Sequence, residues 1–220
     1  MNIVLKHIVT RTYKPLLVKY LSKKRIYKYE GIRLEIAPEV FHPGFFFSTK
    51  LLLQYIKKIP LQGKKFLELG CGSGLISIMA AKQGAVVTAT DINPIAIDFL
   101  KGNSMRNNVK IELIRSDLFK NISSQKFDII AINPPYYKKD PATAKDHAWY
   151  CGENGEYFSS LFNTLGDHIH SDTKILMVLS DGCDMEMING FAAKKGFAFN
   201  CVHSKNYMME KNFIFKIEKN

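Results

Sequence analysis

The chain has 220 residues, 46% of them hydrophobic, which is enough apolar material for a packed core and excludes a wholly disordered protein. Its four cysteines are too few for a disulfide framework, and no apolar run reaches the ~18 residues of a membrane span. The cysteines and histidines also lack the spacing of metal ligands. We therefore expect a cytoplasmic protein without a metal or a membrane partner.

Much of the formal net charge of +11 lies near the start of the chain. Residues 1–45 are predicted to form a basic arm, an N-terminal helix followed by a hairpin with strands at 26–29 and 32–36. Cationic side chains interleaved with tyrosines can follow phosphates and stack on bases, so the arm indicates nucleic-acid binding. A solvated basic surface explains the same residues equally well, and both interpretations stay open.

Residues 46–220 are predicted to form the catalytic domain. Its first helix is expected to begin at Ser48 or Thr49, either of which could act as the N-cap. From Phe66 onward, short apolar strands alternate with amphipathic segments of helical length, the pattern of an α/β, Rossmann-like, mostly parallel sheet wrapped by helices on both faces. The seven predicted strands are 65–69, 86–90, 111–115, 127–132, 175–179, 197–202 and 213–217. The predicted helices between them are 74–82, 94–107, 157–168 and 185–195.

Three glycines at alternate positions, Gly70, Gly72 and Gly74, lie between the first strand of this sheet and the next helix. Glycines adopt backbone angles that other residues avoid, and they let a ligand lie against the main chain at a helix N-terminus. Asp91 follows the second strand, where a carboxylate can accept hydrogen bonds from both ribose hydroxyls. These residues predict a cofactor that contains adenosine.

Two adenosine-containing cofactors fit this arrangement. A nicotinamide dinucleotide site has the spacing GxGxxG, but position 75 is Leu and the spacing here is GxGxG. Glu68 precedes the loop by two residues, where its charge would repel a pyrophosphate and attract the ammonium and sulfonium groups of S-adenosylmethionine. The residues therefore favour S-adenosylmethionine, and a nicotinamide-dependent oxidoreductase is the alternative.

The apolar strand 127–132 runs directly into Asn133, Pro134, Pro135 and Tyr136, a tetrad that faces the cofactor because ligands of open α/β sheets bind beyond the carboxyl ends of the strands. The side-chain oxygen of Asn133 and the carbonyl of Pro134 could accept the two N–H groups of a planar nitrogen and favour its pyramidal form as a methyl group arrives. The prolines fix the loop, and Tyr136 would stack on a flat substrate. The tetrad predicts methyl transfer to an amine or amide nitrogen.

Several segments of the sequence resemble the class I methyltransferases, specifically the HemK-like branch with the small-methyltransferase catalytic domain. The matching segments are the loop at 68–74, the acid within 90–94, the segment 116–119, the tetrad at 133–136, the proline-containing loop and helix start at 41–52, and the stretch 148–156. The resemblance covers the chain from about residue 40 to its end. It implies a last antiparallel strand, which residues 213–217 could supply.

The resemblance also implies contacts with the methionine part of S-adenosylmethionine. Glu68, Gly70 and Gly72 would flank this part, and Thr49 would help at its carboxylate end. The prolines and tyrosine of the tetrad would bind the substrate together with Asn133.

At the adenosine end, the resemblance implies that Asp91 binds the ribose and that Ile92 lies against the adenine ring. Asp117 and Leu118 would meet the adenine edge, where Asp117 accepts from the amino group. Relatives with this tetrad methylate nucleobase amines in RNA or DNA, or protein side chains such as a release-factor glutamine, so a macromolecular substrate is expected. A non-catalytic nucleic-acid-binding module with the same fold is a further alternative.

Overall fold

The computed structural model describes residues 22–38, 40–45, 47–207 and 210–220. The predicted N-terminal helix lies outside these residues. In the described part of the chain, the strands are β1 (Arg25–Tyr29), β2 (Ile32–Ile36), β3 (Lys65–Leu69), β4 (Val86–Asp91), β5 (Ile111–Arg115), β6 (Phe127–Ile132), β7 (Ile169–Ser180), β8 (Phe197–Tyr207) and β9 (Glu210–Lys219). The α-helices are α1 (Phe47–Ile56), α2 (Leu75–Lys82), α3 (Pro94–Arg106), α4 (Glu156–Thr164) and α5 (Met185–Ala193). Short 3-10 helices lie at Asp146–Ala148 and Leu165–His168.

Seven strands form one sheet in the order β5-β4-β3-β6-β7-β9-β8. Strands β3 to β7 pair in parallel, whereas β9 is antiparallel to both of its neighbours, β7 and β8. The predicted Rossmann-like sheet with a last antiparallel strand is therefore confirmed. The strand order reverses between β3 and β6, and ligands of open α/β sheets bind at such a switch point.

Helices cover both faces of the sheet, so its central strands are nearly continuous apolar runs. Along β3, Phe66 contacts one buried cluster, which includes α1, α2 and α3, and Leu67 contacts the other, which includes α4 and α5. The same alternation recurs at Ile129 and Ile130 of β6. Successive strand side chains point to opposite faces, and here both faces are filled.

Strands β1 and β2 form an antiparallel hairpin that packs on α3. The side chain of Asn103 accepts from the backbone N–H of Glu35 at 2.8 Å and donates to its carbonyl at 2.9 Å. Asn107 makes the same pair of bonds with Arg33, at 3.0 and 2.8 Å. The side-chain amides of these two asparagines thus pair with the backbone N–H and C=O groups of β2, as a third strand would do. The division of the chain near residue 45 stays a prediction.

Several boundaries differ from those predicted. Helix α1 begins at Phe47, so Ser48 and Thr49 lie inside it, and the prediction that one of them is its N-cap is wrong. Strand β8 continues to Tyr207 because it pairs with β9 along its whole length, although its last residues are polar and exposed. Within the described ranges, no helix combines the length and the apolar character that a membrane crossing requires.

Candidate active site

A cavity of about 330 Å³ lies at the carboxyl end of the parallel strands, within the size range of small-molecule sites. It is bounded by the glycine loop, the segments that follow β4, β5 and β6, the start of α1, and the loop between β6 and α4. The structure brings all but one of the predicted site residues to its walls: Thr49, Glu68, Gly70, Gly72, Asp91, Ile92, Asp117, Leu118, Asn133, Pro134, Pro135 and Tyr136. The roles assigned to these residues stay predictions.

Gly74 is the exception, because it does not line the cavity. Its φ of 78° is a left-handed conformation that favours glycine, and a Cβ there would lie 2.1 Å from Cδ1 of Leu100 in α3. Gly74 therefore lets α3 pack closely against the start of α2. The expected contact between Gly74 and the cofactor has no geometric support.

The cavity is acidic. Among the described residues that line it there is no lysine or arginine, whereas six carboxylic side chains are present: Glu68, Asp91, Asp117, Asp140, Glu156 and Glu210. Such a wall attracts cationic groups and repels a pyrophosphate.

Glu68 is only 6% exposed at the end of β3. Its Oε2 accepts hydrogen bonds from the backbone N–H of Ser77, at 2.8 Å, and from the Ser77 hydroxyl. Burial raises the pKa of Glu68 to about 8, against the opposing effect of the two bonds from Ser77. Burial therefore favours the protonated form of this carboxyl group until a cation approaches it.

Asp91 is held in place by the backbone on both sides. Its Oδ2 accepts from the N–H of Gly72 at 2.8 Å, and its Oδ1 accepts from the N–H of Asn93 at 2.9 Å. Asn93 in turn caps α3 by accepting from the N–H of Ile95 at 3.0 Å. Burial raises the pKa of Asp91. Each carboxylate oxygen has a further lone pair, so the group can still accept from two ligand hydroxyls.

The segment after β5 completes this side of the cavity. Leu118 has a φ of 49°, an uncommon conformation for a residue with a branched side chain. Asp117 forms an ion pair with Lys120 at 2.6 Å, and the contact is partly exposed. A left-handed backbone conformation such as that of Leu118 is costly, and such conformations tend to occur at binding sites.

The tetrad forms the opposite side. The Nδ2 of Asn133 donates to Oγ1 of Thr49 at 3.1 Å, which leaves the amide oxygen of Asn133 available to another donor. The Tyr136 hydroxyl lies 3.5 Å from Oε1 of Glu210, and burial raises the pKa of Tyr136. The phenol therefore stays neutral, and its hydroxyl lies close to the first residue of β9.

Sequence reasoning missed several residues that line the cavity. Glu210 begins β9, 74 residues after Tyr136, and no local pattern connects the two. Phe41 and Trp149 come from different loops, and their ring centroids lie 5.2 Å apart. Within the described ranges, no group of three or more His, Cys, Asp or Glu residues is arranged to hold a metal ion.

The fold is Rossmann-like, and its cavity has an acidic wall beside an Asn-Pro-Pro-Tyr loop. A family model described as the methyltransferase small domain matches residues 32–151, more than half of the chain. The chain belongs to this methyltransferase family.

Two relatives illustrate the similarity. The chain is 45% identical over 112 residues to a Methanocaldococcus jannaschii protein whose name reads protein N5-glutamine methyltransferase, a match that covers 50% of this chain and 54% of the relative. It is 36% identical over 130 residues to a ribosomal protein L11 methyltransferase of Thermosipho africanus, covering 58% and 50% of the two chains. The chain thus matches about half the length of these curated relatives.

Solved structures agree on the fold. A methyltransferase from Pyrococcus furiosus has a TM-score of 0.63 and 21% identity, with 96% of this chain and all of that chain covered. The E. cuniculi Mtq2–Trm112 complex, which methylates the termination factor eRF1, has a TM-score of 0.63 and 20% identity, with 83% and 99% covered. Because the matching family and the two named relatives are methyltransferases, neither the oxidoreductase nor the non-catalytic module is favoured.

Proposed function

We propose that this protein transfers the methyl group of S-adenosylmethionine to a planar amine or amide nitrogen. The supporting observation is that one cavity holds both the acidic cofactor wall and the amide oxygen of Asn133. Glu68 and the other carboxylates fit a ligand with an ammonium and a sulfonium group. A nicotinamide dinucleotide would bring a pyrophosphate to a wall without a lysine or arginine among its described residues.

The chain's own residues bind, orient and shield the reactants. In this proposal Asp91 accepts from the ribose hydroxyls and Glu68 stabilises positive charge, which their hydrogen bonds and burial support. When bound, S-adenosylmethionine supplies an electrophilic methyl group.

On the substrate side, the oxygen of Asn133 and the carbonyl of Pro134 accept the two N–H groups of the target nitrogen. They favour the pyramidal, nucleophilic form of that nitrogen. Tyr136 stacks on the flat group, and the prolines contribute no competing N–H donor. In-line displacement depends mainly on this positioning, so the proton can leave the nitrogen after the methyl group has arrived.

The substrate is proposed to be a macromolecule. A protein glutamine amide is the first candidate, because the relative from Methanocaldococcus jannaschii carries that activity in its name. A nucleobase amine is the second, because the formal net charge is +11 and a structure of similar fold is an RNA guanine-N2 methyltransferase. We also propose a cytoplasmic location, which is consistent with four free cysteines.

Labelling in an extract tests the proposal. The protein is incubated with tritiated-methyl S-adenosylmethionine and an extract of a strain that lacks its gene, and the extract is then separated into RNA, DNA and protein. We expect label in one fraction with the wild-type protein and far less with Asn133→Ala. Absence of label in every fraction, or equal label with both proteins, would contradict the proposed activity.

A further inference from the structure

The hydrogen bond between Thr49 and Asn133 joins α1 to the tetrad. The Nδ2 of Asn133 lies 3.1 Å from Oγ1 of Thr49, 84 residues away in the sequence. Thr49 is 8% exposed, and its neighbours Leu51 and Leu52 are fully buried where α1 packs on the sheet. The hydroxyl is therefore held on a rigid element rather than on a loop.

A carboxamide has two ends of similar shape and opposite hydrogen-bonding character, because one is an acceptor oxygen and the other is an NH₂ donor. Asn133 can accept from a substrate N–H only if its oxygen faces the substrate. In the reversed orientation, its NH₂ would meet the substrate N–H, so two donors would oppose each other without an acceptor.

The resemblance of the sequence to known methyltransferases placed Thr49 at the carboxylate end of the cofactor. In the structure, its oxygen accepts from the NH₂ end of Asn133, and its role at the cofactor stays a prediction. We propose that Thr49 is a positioning residue, whose hydroxyl holds the Asn133 carboxamide in the place from which its oxygen receives the substrate N–H. This inference rests on the proposed function, since it assigns Thr49 a part in the same methyl transfer.

The test uses substitutions that separate the hydroxyl from the shape of the side chain. Thr49→Val removes the acceptor at nearly constant volume, and Thr49→Ser keeps it. Thr88→Val is a matched control, because the Thr88 hydroxyl is also buried and donates a hydrogen bond of 2.7 Å to Glu112. Neither of these two residues lines the cavity. Thr49→Ala replaces Thr49→Val if the latter does not fold.

The first readout is the side-chain NH₂ signal of Asn133 in ¹⁵N-labelled protein without cofactor, assigned by its loss in Asn133→Ala. We expect Thr49→Val to shift this signal and to speed its hydrogen exchange, whereas Thr49→Ser and Thr88→Val leave it unchanged. The second readout is single-turnover methyl transfer to the labelled extract fraction. Thr49→Val should slow it about tenfold, the equivalent of one hydrogen bond, and Thr49→Ser should restore it.

Calorimetry with S-adenosylmethionine completes the test. We expect the affinity of Thr49→Val for S-adenosylmethionine to stay within about threefold of wild type, a smaller change than the loss of one hydrogen bond would cause. An unchanged Asn133 signal in Thr49→Val would overturn the inference. A tenfold loss of affinity with an unchanged single-turnover rate would also overturn it, because Thr49 would then be a cofactor contact. If the wild-type protein binds no S-adenosylmethionine, the proposed function fails, and the NH₂ signal still decides whether Thr49 orients Asn133.

Discussion

Glu68 links the electrostatics of the site to the charge of its ligand. Burial raises the pKa of this carboxyl group to about 8, and the sulfonium and ammonium groups of S-adenosylmethionine would stabilise its ionised form. We therefore expect binding of S-adenosylmethionine near pH 7 to release protons. The affinity should rise with pH, by up to about tenfold per unit, and should stop rising near pH 8, where the α-amino group of S-adenosylmethionine also begins to lose its proton.

Calorimetry at several pH values measures this dependence. Repeating it in two buffers with different ionisation enthalpies gives the number of protons released. The Glu68→Gln variant is the control, and it should bind more weakly and without the pH dependence. Binding of S-adenosylmethionine to the wild-type protein without proton release at pH 7 would contradict this role of Glu68.

The same residue should destabilise the protein when no cofactor is bound. The folded-state pKa of Glu68, about 8, lies above its ordinary value of 4.5, so its contribution to stability is fully present below pH 4.5 and is lost as the pH rises through 8. Glu68→Gln should therefore raise the free energy of unfolding at pH 8 by an amount on the order of 2 kcal/mol. At pH 4.5 the two proteins should unfold alike. Urea denaturation at both pH values tests this, and an equal difference at both would show that burial of charge is not the cause.

Asn133 is expected to contribute to the rate and little to cofactor affinity. Its oxygen is the available end of the amide, and removal of one such preorganised partner typically lowers a rate by ~10²–10³. Asn133→Ala should show this loss in single-turnover methyl transfer while calorimetry still detects S-adenosylmethionine. Asn133→Asp keeps an acceptor and should retain partial activity. A wild-type rate in Asn133→Ala would reduce the tetrad to a structural turn.

At the scale of secondary-structure elements, the lysines of the hairpin segment fall into two groups, one in contact with the rest of the fold and one exposed to solvent. Lys24 forms an ion pair with Glu35 at 3.1 Å and lies 5.3 Å above the ring of Phe99, so it contributes to the docking of the hairpin. Lys23 and Lys28 are exposed. These two are the lysines of the described arm that can reach phosphates without weakening the fold.

If the arm binds nucleic acid, Lys23→Gln with Lys28→Gln should weaken binding to a single-stranded RNA. It should also reduce the slope of log affinity against log salt by about 0.7 for each phosphate that the variant no longer neutralises. A fluorescence titration over a range of salt concentrations measures both effects. The control is Lys82→Gln with Lys126→Gln, an equal charge change at two positions outside the arm. Identical slopes in the two double variants would favour the solvated-surface interpretation.

Elements that depend on local patterns could be predicted from the sequence. The strand that contains Glu68, the glycine loop and the acid at Asp91 follow one another within about one βαβ unit, so periodicity and spacing locate them. The end of β8 could not be predicted, because its polar residues Ser204 to Tyr207 are in a strand only through pairing with β9. The start of α1 was placed one or two residues late, because Ser48 and Thr49 resemble capping residues.

At the scale of the whole molecule, the parts of the site that sequence reasoning missed are contacts between distant segments. Glu210 approaches Tyr136 because β9 lies beside β7, and the register of that pair is a property of the assembled sheet. The bond from Asn133 to Thr49 likewise depends on how α1 packs against the sheet. A motif identifies which residues belong to a site, whereas the tertiary packing decides which of them touch.

The contact between Phe41 and Trp149 has a consequence for the timing of the reaction cycle. Phe41 precedes α1, Trp149 follows the tetrad, and both line the cavity with their ring centroids 5.2 Å apart. If the two rings cover the bound cofactor, its exchange after methyl transfer requires them to separate, and release steps of this kind limit many enzymes. We expect a rapid burst of one methylation per protein molecule, followed by slower turnover. Phe41→Ala should raise the steady-state turnover rate and remove the burst in rapid-quench measurements. An unchanged burst would show that the two rings do not control release of the demethylated cofactor.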